Sequence, residues 1–381
     1  MRAKVSKDKQ SELFAQAAVH LARAFLIAGR PAEAMEEFHA ALDHGLSGGL
    51  APHLPLLEEE AERCSLRGDH REAVQRWQDI AALLAEATPA RVYEKMSEAY
   101  ISNTLGFWGS ETENQVWGDM GKHEVLAWLH QSFRPSLYLE IGVDEGVSLG
   151  CSVGPSIGVD PRPTLRLREQ LPAMTRIECK SSDAFFAGLN REIEPAPEMA
   201  FIDGMHLLEF VLRDVLNTER IMPPWGLMVV DDIYPCNPIQ AKRRRQSGAW
   251  TGDVWKLVPF LREHRPELLL LCLNSNTTGL LLIAGMDSDD ADRARAALWA
   301  NYARLTREQR TVEEPPLAVL QRHRSLPSNH TLVTDLVTIL QEARQHRRSV
   351  NEVRARLKRL KKGLEEAEQE MSARNKRSGG G

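Results

Sequence analysis

Two short acidic motifs carry the strongest chemical signal in this chain of 381 residues. Asp203-Gly-Met-His206 follows one apolar run, and Asp231-Asp232 ends another. Three carboxylates on neighbouring strands would form an all-oxygen ligand set, which suits Mg²⁺, Mn²⁺ or Ca²⁺ and is poor for zinc. Such a cation would hold a substrate hydroxyl and lower its pKa. The imidazole of His206 titrates near neutrality, so it could take the hydroxyl proton.

Structural roles compete with this interpretation. Asp231 or Asp232 could cap a helix or hold a loop, and His206 could be a packed histidine at the start of a helix. The occurrence of all four residues at predicted strand ends favours the functional interpretation.

A glycine-rich turn lies upstream of these motifs. Residues 137–146, LYLEIGVDEG, predict a strand and a tight turn, and Asp160 ends a second apolar run twenty residues after Glu140. This pattern is typical of nucleotide binding, with the terminal carboxylate on a ribose. Asp144 and Glu145 would repel a pyrophosphate at a helix N-terminus. S-adenosylmethionine has a sulfonium, an ammonium and no phosphate, so these acids favour it.

Seven apolar runs separated by helical patterns predict an α/β domain, with a parallel sheet covered by helices on both faces. Ligands bind such sheets beyond the carboxyl ends of the strands. The acids Glu140, Asp160, Asp203 and Asp231 should therefore converge on one rim. The predicted strands are residues 137–142, 157–160, 176–180, 199–203, 227–231, 268–273 and 279–284.

On these motifs, residues 105–285 resemble a class I S-adenosylmethionine-dependent methyltransferase. The resemblance implies a Rossmann-like seven-stranded methyltransferase sheet and a bound S-adenosylmethionine. A nucleotide-fold domain without this cofactor is the structural alternative. The implied cofactor-binding residues are Glu140, Gly142 and Gly146 at the methionine end, Asp160 at the ribose, Ser182 and Asp183 at the adenine, and Asp203.

The acid-Gly-x-His motif and the later acid pair resemble, more narrowly, metal-dependent O-methyltransferases that act on sugar hydroxyls. That resemblance implies Asp203, Asp231 and Asp232 as ligands of Mg²⁺ or Mn²⁺. It also implies His206 as the catalytic base and a sugar or glycan as the acceptor. The first acid of the later pair is often Glu in that branch and is Asp231 here, which shortens one ligand arm.

Two other functions stay open. One is a methyltransferase for nitrogen or for a small non-sugar molecule, which needs no metal because amines are already nucleophilic. The other is a non-catalytic assembly protein. Near the motifs, Trp250 and Trp255 offer flat faces for a sugar or for adenine, and residues 242–245 could meet an anionic acceptor. A lid anchored by its tryptophans fits equally well, and residues 103–120 could close over the cofactor.

Residues 1–102 predict an all-α domain of helical repeats. Residues 29–38 align with residues 68–77, an offset of 39 residues, and the pattern resembles tetratricopeptide repeats. Both a protein-binding groove and a helical bundle packed on the catalytic domain fit so short an array. The methyltransferase domain is predicted over residues 103–290 and a helical connector over residues 291–335.

Residues 336–371 predict a coiled coil because their apolar residues alternate by three and four. Basic residues flank the seam early and acidic ones late, which favours an antiparallel homo-oligomer. The basic residues 354–362 could instead contact an acidic membrane surface. Residues 372–381 are predicted to be disordered.

The composition limits the remaining classes. A net charge of −5 argues against a nucleic-acid enzyme, and no apolar run approaches the ~18 residues of a membrane helix. The N-terminus lacks the pattern of a signal peptide. Five scattered cysteines without a CxxC pair indicate free thiols and a cytoplasmic location.

Overall fold

The computed structural model describes most of the chain in two compact units, Met1–Phe107 and Trp108–Gly381. The described residues are 7–27, 34, 36–38, 40–41, 54–66, 70–84, 88–89, 91–93, 95–96, 99, 118–165, 171–189, 193–243, 245, 249–288, 308, 311–312 and 314–378. The proposed lid, apart from residues 118–120, and much of the connector lie outside them.

The first unit is helical where it is described. It contains helices α1 (Lys7–Ile27), α2 (Leu54–Leu66) and α3 (His70–Leu84). Helices α2 and α3 pack together and bury Ala61 and Trp77. Most of the first repeat copy, residues 29–38, lies outside the described residues, so the repeat assignment stays a prediction.

The second unit is built on a mixed seven-stranded sheet. Its strands are β2 (Tyr138–Ile141), β3 (Ser156–Val159), β4 (Thr175–Glu178), β5 (Met199–Ile202), β6 (Leu227–Asp231), β7 (Leu269–Leu273) and β9 (Leu280–Ala284). They lie in the order β4-β3-β2-β5-β6-β9-β7. Two short strands, β1 (Met120–Gly121) and β8 (Ser275–Asn276), pair in parallel beside it. All seven predicted strands are confirmed, and the sheet is Rossmann-like.

The prediction of a wholly parallel sheet is wrong at one strand. Strand β9 runs antiparallel to both β6 and β7. Only a short segment joins β7 to β9, and parallel neighbours need a crossover of a dozen or more residues. The chain therefore turns back, and Gly279 takes a positive φ of 70° in that turn.

Helices cover both faces of the sheet. One apolar cluster joins one face to α5 (Ser182–Ala187), α6 (Leu208–Glu219) and α7 (Leu257–His264). A second cluster joins the opposite face to α4 (Lys122–Phe133), α9 (Thr331–Gln345) and α10 (Val350–Ser378). A short helix, α8 (Leu317–Leu320), precedes α9. Among the described residues, no helix has the length and apolar content to cross a membrane.

The prediction of a continuous coiled coil over residues 336–371 is wrong. The chain breaks between α9 and α10, and these two helices pack on each other and on the sheet. The seam residues Leu336, Val353, Leu357 and Leu364 are buried within this one chain. A heptad pattern identifies the apolar face of a helix but does not identify the surface that packs on that face. The seam is thus already occupied by this domain.

Two further predictions concern the tail. Helix α10 continues to Ser378, so residues 372–378 are helical and not disordered. In the basic segment, Arg354 donates to the carbonyl of Gly285 at 2.8 Å and Lys361 donates to that of Pro266 at 2.5 Å. These two side chains tie α10 to the domain, and contact of the segment with a membrane surface stays a prediction.

We expect Leu357→Ala to destabilise the second unit. The leucine is 4% exposed and packs under α10, so its truncation leaves a cavity that costs about 2–5 kcal/mol of unfolding free energy. Chemical denaturation measures this, with the exposed Lys358→Ala as control. A change of mass in light scattering at unchanged stability would instead place Leu357 in an interface.

A second stability prediction concerns His130, which lies fully buried in α4 against the edge of the Tyr138 ring, 4.3 Å between centroids. Burial lowers the pKa of His130 to about 4, below its unfolded value of about 6.5. The unfolded chain therefore binds the proton first, and stability falls as the pH drops below the unfolded pKa. Between about pH 7.5 and about pH 5, this effect should lower the free energy of unfolding by about 2 kcal/mol. His130→Leu should remove that loss, whereas the exposed His346→Gln should not.

Candidate active site

The two acidic motifs meet at the carboxyl ends of β5 and β6. Asp203 follows β5 and Asp231 ends β6, on adjacent parallel strands. The glycine turn after β2 packs directly on this point, because a Cβ on Gly142 would lie 2.0 Å from the carbonyl oxygen of Asp203. Gly142 also has a φ of +88°, so both its backbone and its surroundings require glycine.

Lys122, the first residue of α4, joins the two acids and is the site residue that the sequence did not reveal. Its Nζ lies 2.9 Å from Oδ2 of Asp203 and 2.6 Å from Oδ2 of Asp231. Burial opposes the charge, but the surrounding acids raise the pKa of Lys122 well above its ordinary value. The one available signal was its place in the first turn of a helix, where the helix dipole disfavours a cation.

His206 lies between two acids. Its Nδ1 is 2.9 Å from Oδ2 of Asp232 and 2.6 Å from the carbonyl oxygen of Trp250, while Nε2 is 3.5 Å from Oδ1 of Asp203. The Trp250 ring stacks on the imidazole with 5.3 Å between centroids. Burial opposes protonation, but Asp232 and Asp203 raise the pKa of His206 well above its ordinary value. Nδ1 therefore carries a proton shared between Asp232 and the Trp250 carbonyl, and Nε2 is the nitrogen that faces Asp203.

The pKa values of the acids depend on their burial and on Lys122 and His206 beside them. Burial would raise the pKa of Asp203, but Lys122 and His206 hold it below its usual range. Burial raises the pKa of Asp231 to about 7, even with the ammonium of Lys122 beside it. The Oδ1 of Asp231 accepts from the Thr278 hydroxyl at 3.2 Å and from the Asp232 amide at 2.9 Å.

Of the three carboxylates predicted to bind a metal, Asp231 is bonded within the protein. Both oxygens of Asp231 are engaged, one by Lys122 and the other by Thr278 and a backbone amide. The group that does converge is Asp203, His206 and Asp232, whose ligand atoms lie within 4.8 Å of one another. A nitrogen ligand thus takes the place that the sequence gave to a third carboxylate.

Asp160 closes the glycine turn from β3. Its Oδ2 accepts from the amides of Val143 and Asp144 at 3.0 and 3.1 Å, and its Oδ1 accepts from the Arg162 amide at 2.7 Å. Oδ2 carries two hydrogen bonds, so only Oδ1 keeps an acceptor position for another donor. Asp160 follows β3, as predicted. Its hydrogen bonds to the amides of the glycine turn were not indicated by the sequence.

Three residues predicted to contact the cofactor bond to other side chains of the protein. Glu140 is fully buried and accepts from the Tyr138 and Ser148 hydroxyls at 2.6 Å each, and burial raises its pKa to about 8. Asp183 is held in a buried ion pair by Arg213, at 3.1 and 2.7 Å. The Ser182 hydroxyl bonds to Asp214. Glu140 supports the glycine turn through its hydrogen bond with Ser148, which follows that turn.

The expected acceptor-binding features are also internal. Trp250 and Trp255 are buried, at 7% and 5% exposure, so neither offers a free face to a sugar. Arg243 donates to Glu209 at 2.6 and 3.0 Å and to Asp253 at 2.6 Å. These contacts fix the loop that carries Trp250 and so hold the tryptophan over His206.

The comparisons with known proteins give only distant likenesses. No protein-family profile and no curated protein matches the chain. A putative O-methyltransferase from Klebsiella pneumoniae is 19% identical, with a TM-score of 0.34 over 55% of this chain and 97% of that one. The O-methyltransferase TomG from Streptomyces achromogenes, solved with SAM, is 15% identical, with a TM-score of 0.35 over 43% and 78%.

An O-methyltransferase from Bacillus cereus in complex with SAH gives similar figures: 13% identity and a TM-score of 0.34 over 55% of this chain and 98% of that one. TM-scores of this size do not establish a shared function. The geometry of the site is therefore what bears on function.

A pair of glycine variants tests how the turn positions the acids. Gly142→Ala should displace the Asp203 backbone and unfold or strongly destabilise the domain. At Gly146, which has a φ of +85°, a Cβ would meet nothing closer than 3.4 Å. Gly146→Ala should cost only about 1–2 kcal/mol for the left-handed backbone. Equal losses in thermal unfolding would contradict the close approach at Gly142.

Proposed function

We propose that this chain is an S-adenosylmethionine-dependent methyltransferase that methylates a hydroxyl group. The observation that carries the proposal is the position of Asp160. In dinucleotide sites the backbone amides of the glycine turn are available to a pyrophosphate. Here the carboxylate of Asp160 accepts from the amides of Val143 and Asp144. A phosphate would meet a carboxylate, whereas a cationic cofactor without phosphate would be attracted.

The residues of the rim fit such a cofactor in part. Asp160 keeps one acceptor position on Oδ1 for a ribose hydroxyl. Gly142 and Gly146 leave the turn without side chains, and Asp203 offers negative charge beside it. Glu140, Ser182 and Asp183 would act indirectly, by holding the turn and α5. When bound, S-adenosylmethionine supplies an electrophilic methyl group on a sulfonium.

The acceptor side lies at Asp203, His206 and Asp232. Attack of an acceptor oxygen on the methyl carbon breaks the carbon–sulfur bond and releases one proton. This cluster of carboxylates and imidazole accepts that proton and orients the hydroxyl by hydrogen bonds. A sugar or glycan hydroxyl is the acceptor that the acid-Gly-x-His resemblance favours. An amine or small non-sugar acceptor is the alternative that an acceptor screen would reveal.

A metal-assisted form of the same reaction is the second candidate. It is favoured by one observation, the convergence of Asp203, His206 and Asp232 within 4.8 Å. A divalent cation there would require His206 to be neutral and to ligate through Nε2, while Nδ1–H donates to the Trp250 carbonyl. Activity that is lost in chelator and restored by Mg²⁺ or Mn²⁺ would establish this form.

Cofactor binding provides the first test. Calorimetry should show binding of S-adenosylhomocysteine and none of NAD⁺. Asp160→Ala should weaken the binding by about 1.5–3 kcal/mol, since it removes acceptors from the turn and from the ribose. The control is Glu178→Gln at the end of β4, where the carboxylate pairs with Arg176 and Lys180. Unchanged affinity in Asp160→Ala would disprove the assignment of the ribose acid.

Turnover provides the second test. His206→Ala should reduce kcat by roughly 10²–10⁴, the usual worth of an acid–base group, with little change in cofactor affinity. His264→Ala, on the remote α7, is the matched control. An acceptor screen with labelled cofactor measures both variants. A His206→Ala enzyme with wild-type kcat would leave proximity as the sole source of catalysis.

A further inference from the structure

The ammonium of Lys122 occupies the space between the two strand ends where the sequence predicted a divalent metal. It bridges Oδ2 of Asp203 and Oδ2 of Asp231 at 2.9 and 2.6 Å. The Asp231 side chain is 2% exposed and that of Asp203 is 18% exposed, so this is a largely enclosed pair. Buried carboxylates this close repel each other unless a cation lies between them.

The backbone that carries Lys122 is held on both sides. Strand β1, directly before it, pairs with β8, and Ser275 Oγ donates to the Met120 carbonyl at 3.1 Å. Asp119 accepts from the amide and hydroxyl of Ser328 at 2.9 and 2.6 Å. On the helix side, the Gly121 amide donates to Glu124 at 3.0 Å. Lys122 is therefore placed by the fold and is not a freely rotating surface lysine.

A metal and this lysine exclude each other at these oxygens. Mg²⁺ binds carboxylate oxygens at about 2.0–2.1 Å in a near-octahedral shell, so it would have to replace Nζ between Asp203 and Asp231. The second oxygen of Asp231 is already shared by Thr278 and the Asp232 amide. The lysine supplies a positive charge there without any coordination shell.

We propose that Lys122 is the resident cation of this site: it holds Asp203 and Asp231 in place and excludes a divalent metal from them. Lys122 is then a positioning residue, which orients Asp203 beside His206 for the methyl transfer described above. The part of this proposal that concerns turnover rests on the proposed function, whereas the part that concerns metal exclusion does not. It predicts a methyltransferase that works without added metal.

Binding of Mn²⁺, followed by electron paramagnetic resonance and calorimetry, tests the exclusion on the full chain. Wild-type protein should bind no Mn²⁺ that depends on Asp231 at micromolar concentrations. Lys122→Ala should gain one site, at least about tenfold tighter than wild type, and Asp231→Asn in the same chain should abolish it. Lys122→Arg, which keeps the charge, should stay metal-free. Lys180→Ala, which removes a lysine paired with Glu178 at the end of β4, is the matched control and should behave as wild type.

Two results would overturn the proposal. Stoichiometric Mn²⁺ binding by the wild type that Asp231→Asn abolishes would show that the lysine does not exclude the metal, and this measurement does not depend on any Lys122 variant folding. If a folded Lys122→Ala gains no Mn²⁺ site, the lysine does not occupy a position that a divalent cation could take. For turnover, kcat should fall in Lys122→Ala and recover partly in Lys122→Arg, with unchanged affinity for S-adenosylhomocysteine. Failure of the wild type to bind that ligand would instead refute the proposed function and leave the Mn²⁺ result intact.

Discussion

The site depends on one electrostatic constraint: three carboxylates share a largely enclosed rim, and each must be compensated. Desolvation and mutual repulsion both disfavour the ionised forms. Two basic side chains meet this need from opposite sides, Lys122 against Asp203 and Asp231, and His206 against Asp203 and Asp232. Asp203 contacts both of them, which explains why its pKa lies below its usual range although it is buried.

The rest of the second unit places these few groups. Parallel strands β2, β3, β5 and β6 bring the acids to one edge, and the glycine turn can pack against Asp203 because Gly142 has no side chain. The buried pair of Arg243 with Glu209 and Asp253 holds the Trp250 loop over His206. Buried ion pairs of this kind contribute little net stability, but they specify one arrangement of a loop.

The C-terminal helices illustrate that a correct local pattern does not specify the surface that covers it. The apolar stripe of α9 and α10 is real, and its residues are buried as a coiled-coil seam would be. What covers the stripe is the sheet, with Leu271, Leu280 and Leu282 in the same cluster. The helices therefore complete one face of the domain, and nothing in the heptad pattern distinguishes that surface from a second chain.

The sequence alone determined the seven strands, the glycine turn, the acids at the strand ends and the suitability of that turn for a cationic cofactor. These depend on neighbours along the chain, where hydrophobic period and residue type carry the information. The tertiary structure decided the direction of β9, the burial of Glu140 and Asp183, and the ion pair of Lys122 with acids 81 and 109 residues away. Such contacts depend on which distant segments the fold brings within a few ångströms, and no local pattern records the partner of a buried charge.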